Sequence, residues 1–109
     1  MNVEAVRDYC LHKENVEESC PFGPETLVFK VDGKIFVLLP IDDAISLNAK
    51  CDPERAIELR ESYAAIIPGF HMNKKHWNTI LFNDDASDKL IFELIDHSYS
   101  LVAKKRKKK

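Results

Sequence analysis

Asp32-Gly33 separates two runs of strand-forming residues, Leu27-Val28-Phe29-Lys30-Val31 and Lys34-Ile35-Phe36-Val37-Leu38-Leu39. Nothing else in the chain narrows its fold as much. Both positions of an Asp-Gly pair tolerate the positive φ that tight two-residue hairpin turns require, so the pair predicts an antiparallel hairpin. Pro40 ends the second strand. Residues 44–50 then alternate Ile45, Leu47 and Ala49 with Ser46, Asn48 and Lys50, which predicts a third strand with one wet face.

Helical signals flank this meander. Asn2 caps a first helix running to about His12, with Val3, Val6, Tyr9 and Cys10 as its buried stripe. Residues 15–25, with Pro21, Gly23 and Pro24, read as a loop. Asp52-Pro53-Glu54 starts a second helix: a carboxylate cap, proline at the first helical position, then an acid near the positive helix end. Ala56, Ile57 and Leu59 give it an apolar side. Beyond the Pro68-Gly69 break, Phe70 to Met72 suggest a short strand and His76 to Phe82 a longer one. Trp77, Thr79 and Leu81 then share one face of that strand, and Asn78, Ile80 and Phe82 the other. Asp85, with Asp88 three residues on, caps a last helix with an apolar stripe of Leu90, Ile91, Leu94, Ile95, Leu101 and Val102.

The 109 residues leave room for one domain, assigned to residues 1–103. It is expected to be α+β: two layers, with an antiparallel sheet of four to five strands and helices packed on one face. No apolar run approaches the ~18 residues of a membrane span, and no basic stretch leads into an apolar one at the N-terminus. The chain reads as soluble, cytoplasmic and monomeric. Cys10, Cys20 and Cys51 lack any Cys-x-x-Cys pairing and read as free, buried or half-buried packing thiols.

The net charge of −2 hides a division. Residues 104–109 are Lys-Lys-Arg-Lys-Lys-Lys, which leaves ten basic against eighteen acidic residues in the first 103, a net of −8. The body is acidic and the tail basic. Such a tail reads as disordered, and it binds phosphates without sequence preference.

The segment from Ser62-Tyr63 through His71-Met72-Asn73-Lys74-Lys75-His76-Trp77-Asn78-Thr79 closely resembles the MmcQ/YjbR family of DNA-binding-like proteins. Phe22-Gly23, the hairpin runs, and Ser98-Tyr99 with Leu101-Val102 extend the resemblance over essentially the whole chain. The resemblance implies a CyaY-like fold and non-catalytic binding, with DNA as the leading partner. Lys74 and Lys75 are then phosphate contacts, with His76, Trp77 and Asn78 beside them. Lys104, Lys105 and Arg106 of the tail add nonspecific affinity. Against this stands a plainer reading in which Trp77 packs in the core and the lysines are solvated.

A second function class is an interaction module that binds a basic or helical protein partner through its acidic body or an apolar groove. Metal binding is a weaker reading. His71 and His76 lack a third ligand, and Glu4, Asp8, Glu14, Glu17 and Glu18 suggest iron only by analogy with frataxins. No nucleophile elbow or glycine-rich phosphate loop is present, so neither catalysis nor a cofactor is expected.

Overall fold

The computed structural model describes residues 1–69 and 72–104. In chain order they form α1 (Val3–Leu11), β1 (Val16–Ser19), β2 (Thr26–Val31), β3 (Lys34–Pro40), β4 (Ser46–Lys50), α2 (Pro53–Ser62), β5 (Ile66–Pro68), β6 (Trp77–Leu81) and α3 (Asp88–Val102). The strands make one antiparallel sheet in the order β1-β2-β3-β4-β6-β5. The α+β reading holds, with six strands instead of four to five.

The hairpin is as expected. Asp32 and Gly33 take φ of 52° and 81°, both left-handed, and join β2 to β3. The Asn2 side chain accepts from the Ala5 N–H and caps α1, and Asp52 accepts from the Arg55 N–H and caps α2. Side chains from the three helices, among them Val6, Leu59 and Ile91, join Phe29, Leu39 and Leu47 of the sheet in one core. Val28 and Leu38 lie outside it, on the opposite, helix-free face. A register shift between Phe29 and Lys30 leaves Phe36 unpaired against β2. Phe36 and Val37 then both enter the core, as consecutive residues do at a β-bulge.

Three expectations need correction. Residues 15–25 are not all loop, because β1 pairs Val16–Ser19 with Val28–Val31. One apolar residue among acids hid this strand, yet an edge strand tolerates that composition. The Arg7 guanidinium ties α1 to it through the Glu18 carboxylate, with Nη2 2.9 Å from Oε1.

Of the strand expected at Phe70–Met72 only Met72 is described, and the strand that flanks β6 is β5, Ile66–Pro68. Pro68 is tolerated there because an edge strand has one unpaired side. Met72 lies in a bend, and Phe70 and His71 fall outside the described residues.

Asp85 does not cap α3. The Ser87 hydroxyl does, accepting from the Leu90 N–H at 3.1 Å. The Asp85 carboxylate instead accepts from the Ala64 and Ala65 N–H groups, both at 2.8 Å, and these bonds hold its pKa below the usual aspartate value. Cys10 and Cys51 are buried as expected, whereas Cys20 is exposed. Burial pushes the Cys10 thiol up to about 12, so it packs as a neutral group.

Candidate functional site

The Lys-Lys-His-Trp segment forms a turn entering β6, and Asn73 organises it. The Asn73 carbonyl accepts from the His76 and Trp77 N–H groups at 3.2 and 3.0 Å, and its side-chain oxygen accepts from the Lys75 N–H at 3.0 Å. Arg60 of α2 reaches the same turn. Its Nε donates to Asn78 Oδ1 at 2.7 Å, and its Nη2 donates to the Lys74 carbonyl. The His76 carbonyl accepts from the Cys51 N–H and the Trp77 carbonyl from the Gly69 N–H, each at 2.8 Å. The backbone is therefore held from three sides while the side chains of Lys74 and Lys75 are exposed.

Strand alternation decides where the next residues point. Thr79 Oγ1 donates to Asn48 Oδ1 on the helix-free face, so Trp77, two residues earlier on β6, shares that face. Lys50 stands opposite Trp77 in the β4–β6 register and shares it too. Trp77, Lys50 and His76 are half-buried.

Asn78 points the other way. It is 2% exposed, its oxygen is taken by Arg60, and its Nδ2 is buried with no hydrogen-bond partner among the described residues. This position cannot present Asn78 to a nucleic acid, so that residue leaves the candidate set. The Arg60 Nε and Nη2 groups are thus engaged within the protein. Lys50 was missed, since only the β4–β6 register brings it beside Trp77.

Lys104 is exposed, and its N–H donates to Asp32 at 2.9 Å, so the basic run leaves from the hairpin turn. Lys105 and Arg106 lie outside the described residues.

The same helix-free face holds a groove of about 710 Å³, lined by Leu38, Ile67 and Leu81 among others, by Met72, and by the Asn48–Thr79 pair, which follows Lys50 and Trp77 along the sheet. Among the described residues, no three His, Cys, Asp or Glu side chains converge to hold a metal. No described helix is long and apolar enough to cross a membrane.

A family profile described as YjbR matches residues 11–101. The chain belongs to the YjbR family. Among YjbR relatives, the Escherichia coli O157:H7 protein YbdF is 39% identical over 100 residues, covering 91% of this chain and 82% of that one. The YjbR protein of Escherichia coli K12 is 28% identical over 91% of this chain and 85% of its own length. Both are described only as uncharacterised.

The same YjbR architecture recurs in solved structures. A Deinococcus radiodurans protein with a domain described as DUF419 superposes with a TM-score of 0.85 at 39% identity, covering 91% of this chain and 76% of that one. A Pseudomonas syringae protein gives 0.81 at 30% identity, over 94% and 99%.

Proposed function

We propose that this YjbR domain is a non-catalytic binding module for single-stranded nucleic acid, contacted by Lys50, Lys74, Lys75 and Trp77. One observation carries the reading: the Asn73–Trp77 turn, braced through its carbonyls by Arg60, holds two exposed lysines beside an aromatic ring on the helix-free sheet face. Lysines there neutralise phosphates, and the indole offers a stacking surface to an unpaired base. His76, half-buried at the same turn, flanks the site.

A duplex suits the surface less well. The exposed side of α2 carries Glu54, Glu58 and Glu61, so this helix repels a major groove. The net of −8 over the first 103 residues also opposes any long phosphate track, which favours a short, local contact. That same acidity supports a second reading, a module binding a basic protein partner.

Anisotropy of labelled single-stranded and duplex oligonucleotides across ~50–200 mM salt separates the two. The intact chain is compared with one ending at Ala103 and with Lys74→Ala/Lys75→Ala. Single-strand binding that survives truncation and falls with the double substitution is the expected result. Binding that vanishes with the tail leaves only nonspecific charge and favours the protein partner.

A further inference from the structure

The groove on the helix-free face adjoins the lysine turn, with Met72 in its lining, and has a different chemistry. Its volume of about 710 Å³ falls in the range of sites that enclose a small organic molecule. Leu38, Ile67 and Leu81 supply apolar wall, and Phe22 and Ile45 stand at it 67% and 54% exposed, although each is large and apolar.

Asn48, also lining the groove, is only 8% exposed. Its Oδ1 takes the Thr79 hydroxyl at 2.5 Å, and its amide N–H groups find no acceptor among the described residues. A donor at the wall of an apolar groove gains from a ligand acceptor that reaches it. The charge pattern narrows the class further. Among the described residues that line the groove, Asp43 carries the one charged side chain. An anion would meet the Asp43 charge there, with the side chains of Asn48, Thr26 and Ser46 as donors among the described residues.

We infer that this groove binds a neutral, largely apolar small molecule that presents a carbonyl-type acceptor to the Asn48 amide. The arrangement is the common one for such sites: apolar walls give affinity, and one placed donor gives orientation. Nothing in it depends on the nucleic-acid reading.

The test is a titration of the ¹⁵N-labelled full chain with N-benzylacetamide, followed by NMR, beside the anionic analogue 3-phenylpropanoate. Saturable shifts of the Asn48 side-chain amide and of the Leu38, Thr79 and Leu81 backbone amides are expected. The carboxylate should bind about tenfold more weakly, because its charge is desolvated in an apolar groove beside Asp43. Ile45→Glu, at an exposed position that leaves the fold intact, should weaken the amide several-fold. Lys74→Ala/Lys75→Ala should not change it. The inference is overturned by absent or unsaturable shifts, by shifts centred elsewhere, by equal binding of the carboxylate, or by an Ile45→Glu chain that binds as well as the parent.

Discussion

Ser98 joins two backbone groups that the sheet cannot pair. The bulge at Phe36 breaks the β3 ladder beside β4, and the fully buried Ser98 hydroxyl bridges the gap. It donates to the Phe36 carbonyl at 2.5 Å and accepts from the Lys50 N–H at 2.9 Å. Ser98→Ala leaves both groups buried without a partner and should cost about 2–3 kcal/mol, read from urea unfolding. Lys50, in the candidate site, should shift with it in NMR spectra.

Gly69 is fixed by space, not by φ. A Cβ there would stand 2.8 Å from both the Trp77 Cβ and the Trp77 carbonyl oxygen, atoms that cannot swing aside. Gly69→Ala should therefore destabilise by about 1–3 kcal/mol and change the Trp77 fluorescence of the folded state. Unaltered stability and emission would remove the close approach as the reason for glycine. In the sequence, Ser98 read as part of a family resemblance and Gly69 as half of a turn. Neither role has a local signature, because each partner lies far along the chain or across a strand pair.

A polar cluster around Asp96 joins α3 to α1 and to the turn that follows it. Lys13 pairs with Asp96, and its Nζ lies 4.9 and 5.0 Å from the Tyr9 and Tyr99 ring centres. The Tyr9 hydroxyl donates to the same carboxylate.

Between α2 and α3 the junction is titratable. His97 Nε2 accepts from the Asp52 N–H at 3.1 Å, which requires that nitrogen unprotonated. Burial, and then the Arg55 charge, hold the His97 pKa below its usual 6.5, against an opposing effect of Asp52. The unfolded chain therefore binds the proton more readily. The stability this gives is present above pH 6.5 and is lost as pH falls through the lower folded value. Urea midpoints should fall between about pH 7.5 and 5.5, and His97→Gln, which keeps an acceptor, should flatten that fall. An equal fall in both proteins would assign the effect elsewhere. The element boundaries most legible in sequence were those with capping or turn chemistry, at Asn2, Asp32-Gly33 and Asp52-Pro53. The least legible were β1 and β5, short edge strands that exist because a neighbour offers them hydrogen bonds.

For the whole molecule, charge sets how strongly and how specifically it can bind nucleic acid. A site of three lysines on the folded domain predicts a log–log salt slope near −2 for single strands, at about 0.7 per neutralised phosphate. The six-residue basic run predicts about −4 by itself, so the slope measured before and after its removal apportions the two. The groove should show little salt dependence, since its chemistry is apolar and neutral. The sequence by itself determined the α+β layering, the hairpin, two of the three helix caps and the division of charge, because periodicity, turn φ and capping are local properties. Only the tertiary structure decided which face of β6 meets the helices. That choice buried Asn78 against Arg60, turned Trp77 toward Lys50, and set Asn48 and Thr79 among apolar side chains, because the register of β4 against β6 determines which side chains meet on each face of the sheet.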